Sequence, residues 1–298
     1  MLNTILWGAG EIYNTHLNGI HYFELTKQIN IVGILSGDLF DKQSMLDGYP
    51  VLNKNHVCWE NIDLVIIMSQ RYFREILSEF ENIAVGKIRV ISFRVTEIPG
   101  VKLTEYIKLV DEKVSIVSNN CWGGLVCRTL GIECRSPFKN LFLQDDDYLK
   151  IISDLKRYMC YEPEFARFDI DIHSKEKYPV LRIADAEIHC NHAENIETAI
   201  SEWNRRRKKI NLDNIFYEMY TGDKKIADKF ISITEGKKRV CFLPKGKNED
   251  KDENGLLYVD LKTEKKELWE LVNEYASLRG IKLDLVNILL KNKIVKRE

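Results

Sequence analysis

Short apolar runs alternate along this chain with longer stretches whose apolar positions recur every three to four residues, so strands and helices are expected in turn. Thr4–Trp7 is an apolar strand that runs into Gly8-Ala9-Gly10, and Glu11–Gly19 starts a helix. A second strand is predicted at Ile29–Leu35, followed by a turn at Ser36-Gly37-Asp38 and then Gly48-Tyr49-Pro50-Val51. Asp63 introduces a third strand at Leu64–Ser69, Arg71–Phe80 reads as helix and Ile88–Phe93 as a fourth strand. This alternation calls for crossover connections and hence a parallel sheet. Pro99-Gly100 interrupts it, and Lys102–Glu112 reads as a connecting helix.

A second series begins with the strand Val114–Ser118, which ends in Asn119-Asn120-Cys121-Trp122-Gly123-Gly124 ahead of a helix at Leu125–Leu130. Helix Tyr148–Met159, strand Val180–His189, helix Ile196–Lys209, strand Asn214–Tyr220, helix Lys225–Ile231 and strand Arg239–Leu243 follow. Lys245–Gly255 is a polar, solvated loop, and Lys262–Leu278 an amphipathic helix with Leu268, Leu271, Val272 and Tyr275 on one face. The expected class is α/β with two α/β domains: a small Rossmann-like parallel sheet over residues 1–98, a linker helix at 99–111, and a separate α/β domain over 112–298.

Composition narrows the function more than the fold. With 45% hydrophobic and 30% charged residues the chain has too much apolar content for disorder. Forty-four Lys and Arg balance 45 Asp and Glu, so there is no overall field to hold a nucleic-acid backbone, and any anion site must be local. No apolar run approaches a membrane span and the first residues lack a basic stretch leading into a signal core, so a cytoplasmic location is expected. Seven cysteines, an odd number without CxxC pairs, suit free thiols in a reducing compartment, with no structural metal.

Candidate chemistry gathers at two glycine turns. At Gly8 and Gly10 the backbone can approach a phosphate at a helix N-terminus, or the glycines merely make a tight turn; Tyr13 and Ser36 stand where a dinucleotide site needs glycine and an acid, which speaks against NAD. At the second turn Cys121 precedes a predicted helix, a position that stabilises a thiolate, and the neighbouring Asn119, Asn120, Gly123 and Gly124 are candidates for holding a ligand or an oxyanion. Read as one strand, Asp185-Ala186-Glu187-Ile188-His189 puts Asp185, Glu187 and His189 on one face, with His192 just beyond. Either histidine is then a candidate base for Cys121, with Asp185 orienting it; the alternative is an exposed polar edge. Asp145-Asp146-Asp147 reads as a helix start stabilised by the helix dipole, or as a metal-diphosphate site. Arg206, within the basic run Arg205–Lys209, is a candidate phosphate grip with Trp203 before it as a ligand-binding neighbour, unless the run is a solvated helix end.

Residues 1–93 resemble small Rossmann-like domains of bacterial polysaccharide and sugar-modifying proteins, through Trp7-Gly8-Ala9-Gly10-Glu11, Val32-Gly33-Ile34 with Asp38, Gly48-Tyr49-Pro50-Val51 and Asp63-Leu64-Val65-Ile66-Ile67. That resemblance implies a nucleotide-sugar or CoA-type ligand. Over Val114–Leu243 the chain resembles the DUF1919 family, through Ser118–Gly124, Leu130-Gly131, Ser136-Pro137, Asn140-Leu141-Phe142, Asp146-Asp147-Tyr148, Tyr178-Pro179, Asp185 to His192, Trp203 with Arg206, and Lys209-Ile210-Asn211. Ala193 and Lys209 depart from that family's tyrosine and arginine. The resemblance implies a place in exopolysaccharide or capsule biosynthesis. The expectation is an acyl- or small-group transferase acting on a sugar or nucleotide sugar, with a non-catalytic nucleotide-sugar-binding or scaffold protein, or a glycosyltransferase, as alternatives.

Overall fold

The computed structural model describes residues 1–40, 43–83, 88–246, 252–261, 266–277 and 283–294. It is a mixed α/β protein of two compact units: unit 1 holds Met1–Lys108 with Leu130–Ile132, and unit 2 holds Leu109–Thr129 with Glu133–Glu298.

Unit 1 runs β1 (Leu2–Trp7), α1 (Glu11–Leu25), β2 (Ile29–Leu35), α2 (Gly37–Phe40), β3 (Met45–Leu46), β4 (Tyr49–Leu52), β5 (Leu64–Ile67), α3 (Phe73–Ile83), β6 (Arg89–Ser92) and the first part of α4 (Leu103–Glu112), whose residues from Leu109 on belong to unit 2. Its sheet has the order β3-β4-β2-β1-β5-β6, parallel throughout except for the β3–β4 hairpin. A parallel strand covered on both faces has no polar side, which is why β5 reads Leu-Val-Ile-Ile and is wholly buried. Each of those side chains contributes about 1.5–3 kcal/mol at most by leaving water.

Unit 2 contains β7 (Ser115–Ser118), α5 (Trp122–Leu130), α6 (Asp145–Ser153), α7 (Leu155–Tyr158), β8 (Glu164–Ile170), β9 (Lys177–Ile183), β10 (Ala186–His189), α8 (Ile196–Arg207), β11 (Ile215–Tyr220), α9 (Lys224–Ile233), β12 (Lys238–Pro244), β13 (Leu256–Val259), α10 (Leu268–Tyr275) and α11 (Leu285–Lys291). A parallel sheet in the order β13-β12-β11-β7 forms its centre, beside an antiparallel sheet in the order β10-β9-β8. Tyr148 and Phe230 pack α6 and α9 together at 6.3 Å, while Trp122 packs α5 on Phe216 of β11 and Phe242 of β12, each at 6.0 Å.

Three sequence expectations change. The strand expected over Val180–His189 is two, β9 and β10, joined by a tight turn at Ala184-Asp185. The helix expected over Tyr148–Met159 breaks at Asp154, whose backbone is extended in φ (−144°) and whose carboxylate accepts the Arg157 N–H. Strands β8 and β13 were not expected. Of the polar loop Lys245–Gly255, residues 247–251 lie outside the described residues, as do 262–265 and 278 of the amphipathic helix, of which α10 is the described part.

Candidate functional site

In open α/β sheets, ligand and catalytic groups collect where parallel strands end and their helices begin. β7 ends at Ser118, and Asn119-Asn120-Cys121 carry the chain into α5. The Asn120 Oδ1 accepts the Trp122 N–H at 2.6 Å, satisfying a donor that the first helical turn would leave unpaired. Its Nδ2 lies 3.0 Å from each carboxylate oxygen of Glu218 on β11 and 2.9 Å from Asn119 Oδ1. Asn119 in turn accepts the Tyr220 N–H at 3.1 Å and donates to the Tyr220 carbonyl at 3.0 Å, clamping the turn to the end of β11. The Tyr148 hydroxyl sits 2.7 Å from the Val117 carbonyl and 2.6 Å from that of Glu218, tying α6 to the same two strands.

This frame holds Cys121 at the rim of the sheet with its Sγ 3.4 Å from His192 Nε2, across 71 residues of sequence. Backbone bonds fix where that histidine arrives. His189 and Phe142 exchange N–H···O bonds at 2.9 Å in both directions, Cys190 donates to the Pro179 carbonyl at 3.0 Å, and Ala193 closes a turn onto the Cys190 carbonyl at 2.9 Å. His192 lies within that turn.

The other expected partners go elsewhere. His189 is buried, its Nδ1 3.1 Å from the Tyr178 hydroxyl and its ring 4.5 Å from that of Phe142. Burial lowers its pKa and keeps it neutral. Asp185 is no longer on a strand face: it sits in the β9–β10 turn and accepts the Tyr158 hydroxyl at 2.7 Å. Glu187 pairs with Arg167 and Arg182. The acid whose charge acts on Cys121 is Glu218, which sequence reasoning missed.

The electrostatics also differ from expectation. A helix N-terminus favours a thiolate, yet burial, and then the charge of Glu218, push Cys121 up to about 11. Glu218 is itself completely buried, and loss of solvation pushes it up to about 8 against the opposing effect of the Asn120 amide. It is therefore mainly protonated at neutral pH, and its repulsion of a thiolate grows only in alkali. The Cys121 thiol beside His192 is therefore neutral at rest.

The two glycines after Trp122 serve packing. A Cβ on Gly123 would lie 2.8 Å from Ile116 Cγ2 and 2.9 Å from Ser118 Oγ, and one on Gly124 would lie 2.9 Å from Asn140 Oδ1. Asn119 and Asn120, expected to face a ligand, face the protein's own Glu218 and Tyr220 instead. A cavity of about 150 Å³ adjoins His192, lined also by Asn140, Cys190, Glu202, Trp203 and Arg206. Trp203 is part of the core there, its ring 5.4 Å from Phe138. Arg206 is committed to the Lys139 carbonyl at 2.7 Å and to Glu202, while Arg207 bonds the Tyr161 carbonyl and Glu162. The basic run is thus mostly spent on internal partners. In the acidic run, Asp145 takes the Thr221 hydroxyl at 2.6 Å and Asp147 pairs with Lys150 at 2.9 Å, both within the first turn of α6.

The turn of unit 1 is different. Gly8 has φ +117° and its missing Cβ would lie 3.0 Å from the Met68 carbonyl, so only glycine suits it, whereas a Cβ on Gly10 would meet nothing within 4 Å. Gly10 caps α1 without a side-chain bond, and Tyr13 is buried with its hydroxyl on Asp47 at 3.0 Å. A cavity of about 320 Å³ in this unit lies at the ends of β1, β2 and β4, between Trp7, Ser36, Gly37, Asn53, Lys54 and Glu79.

Comparison with known proteins adds lineage. Residues 93–284 match the model of a domain of unknown function, DUF1919, and residues 1–91 match one described as C2185-like, N-terminal. An uncharacterised protein of Haemophilus influenzae is 29% identical over 141 residues, 46% of this chain and 65% of that protein. The chain thus spans slightly less than two thirds of that relative's length. Among solved structures, aspartate semialdehyde dehydrogenase II of Vibrio cholerae, complexed with ASA, aligns at 15% identity over 55% of this chain and 49% of that one, with a TM-score of 0.26, too low to carry an argument. Among the described residues no helix is long and apolar enough to cross a membrane.

Proposed function

The chain belongs to the DUF1919 family, and from that premise we propose that unit 2 is a thiol-dependent group-transfer enzyme with Cys121 as nucleophile and His192 as base. The observation that carries this reading is the 3.4 Å separation of Cys121 Sγ and His192 Nε2 at the carboxyl end of a parallel sheet. In the Nδ1–H tautomer, Nε2 accepts the thiol proton while Sγ attacks the carbonyl carbon of an activated acyl donor. The bond from that carbon to the leaving group breaks, and the leaving group takes the proton from His192. A sugar hydroxyl then attacks the thioester, gives its proton to His192, and the proton returns to sulfur as the S–C bond breaks. A base adjacent to the thiol removes the need for a free thiolate, which suits a cysteine whose pKa is pushed up to about 11. Asn119, Asn120 and Glu218 position Cys121, and the cavity beside His192 has room for a small group.

The acceptor in this proposal is a sugar or nucleotide sugar of exopolysaccharide or capsule assembly in the cytoplasm, with unit 1 as a Rossmann-like holder of a nucleotide-sugar or CoA-type donor. The motif order in residues 1–93 supports that assignment, and the cavity between Trp7, Ser36 and Asn53 supports it at the strand ends where such folds bind ligands. A non-catalytic nucleotide-sugar-binding protein, with unit 1 holding the ligand, is the second reading, favoured by a Cys121 thiol pushed up to about 11, away from the thiolate a nucleophile needs. Acetyl-CoA and peptide mass spectrometry separate the two. The enzyme acquires an acetyl group on Cys121 in preference to the exposed Cys58 and Cys160, and loses it in Cys121→Ala; equal or absent modification at Cys121 sinks the transferase.

A further inference from the structure

β8 is the outer strand of its antiparallel sheet, and among the described residues it pairs only with β9. Its open edge presents unspent backbone. Phe168 stands opposite Pro179, whose carbonyl already accepts Cys190 N–H on the far side of β9. Opposed residues of an antiparallel ladder aim their backbone groups either at each other or both away, so those of Phe168 face the open edge. Two residues on, the Ile170 N–H does the same and is met only by its neighbour's carboxylate, Asp169 Oδ1, at 2.8 Å, while Asp171 N–H turns back to the Glu176 carbonyl at 2.9 Å.

The side chains along this edge are apolar and open to water: Phe165 is 42% exposed, Phe168 and Ile170 each 53%, and Ile172 73%. Soluble proteins blunt such edges with Lys, Pro or a bulge, because a free apolar strand recruits another. The irregularity in β8 lies between Phe165 and Arg167, ahead of the open stretch, and within that stretch the charges are of both signs. We infer that β8 is a self-association edge, pairing antiparallel with β8 of a second copy of this chain about a two-fold axis at Phe168.

The sequence of the strand selects that register. Centring on Phe168 sets Arg167 opposite Asp169 of the partner subunit, twice by symmetry, with the two phenylalanine rings side by side. Moving the two-fold axis by one residue, a relative slip of two, would put arginine opposite arginine or aspartate opposite aspartate. Because the Phe168 backbones exchange the hydrogen bonds, the arginine and aspartate fall at the non-hydrogen-bonded position, where side chains approach most closely. Arg167 already reaches Asp169 of its own strand at 3.6 Å and Glu187 beside it, so pairing extends an existing row of charges.

Light scattering on the full chain from about 1 to 100 μM, with amide hydrogen exchange at both ends of that range, tests this. The expected mass rises to twice 34.9 kDa, while exchange at Phe168 and Ile170 slows at least tenfold. Phe168→Lys, at an exposed position, returns the chain to monomer with its circular dichroism unchanged. Arg167→Asp weakens the dimer at least tenfold, and Arg167→Asp with Asp169→Arg recovers it. A monomer throughout the range, a dimer that survives Phe168→Lys, or a double exchange that fails to recover association overturns the proposal. The exchange measurement needs no variant, so it stands even where a substitution unfolds the chain.

Discussion

The first strand of each unit runs through a glycine-bearing turn into a helix, but the glycines serve opposite ends. In unit 1 Gly8 meets a backbone constraint, with its φ of +117° and the Met68 carbonyl close by, and Gly10 leaves the start of α1 open with no side chain near it. What that turn offers is bare main chain. In unit 2 Gly123 and Gly124 let α5 settle onto Ile116, Ser118 and Asn140, and the chemistry is supplied by side chains, Cys121 outward and Asn119, Asn120 and Glu218 inward. A glycine turn is thus not one kind of site. Where its missing Cβ faces protein the turn is a packing device, and only where it faces open space is it a surface for ligands.

Glu218 gives the largest expected effect with which to sharpen that contrast. Its folded pKa of about 8 lies above the ordinary 4.5, so the folded state holds a proton that the unfolded chain releases. Its contribution is therefore complete below about pH 4.5 and is lost as the pH rises toward 8, at about 1.4 kcal/mol per unit at most. Urea melts of the wild type should weaken across that window, and Glu218→Gln should flatten the decline; equal slopes would contradict a neutral buried acid under Cys121. The turns themselves come next. Gly123→Ala and Gly8→Ala should each cost about 1–3 kcal/mol, the first by overpacking and the second by backbone strain. Gly10→Ala should cost only a few tenths to about 1 kcal/mol, the loss of a preferred N-cap residue. Comparable losses at Gly10 and Gly123 in thermal unfolding would erase the distinction between the two turns.

Much of this organisation is legible in the sequence because buried parallel strands announce themselves as unbroken apolar runs, as at Leu64–Ile67. Cys121 is legible too, from the strand that runs into it and the helix that follows. Which of the two candidate histidines, His189 or His192, lies beside it is not, because the alternation of Asp185, Glu187 and His189 looks like one strand face. Ala184 takes a left-handed φ of +53° without the glycine or asparagine that would mark a turn, so the break between β9 and β10 leaves no residue signature. Glu218 did leave one: a lone acid in Ile215–Tyr220, an otherwise uncharged strand, is costly unless it is neutral or satisfied. β8 is hidden for the opposite reason, since Glu164–Ile170 faces water along most of its length and shows no apolar run.

In the proposed reaction His192 makes a neutral thiol reactive. The direct test is the rate of Cys121 acylation by a small thioester between pH 7 and 10, in wild type and in His192→Ala, resolved by peptide. At pH 7.5 the rate should be about 100-fold lower in the variant, the ordinary worth of a positioned base. The gap should narrow as the pH approaches the value of about 11 at which the thiol ionises unaided. Equal rates across the whole range would mean that the 3.4 Å contact is packing and that Cys121 is not the nucleophile.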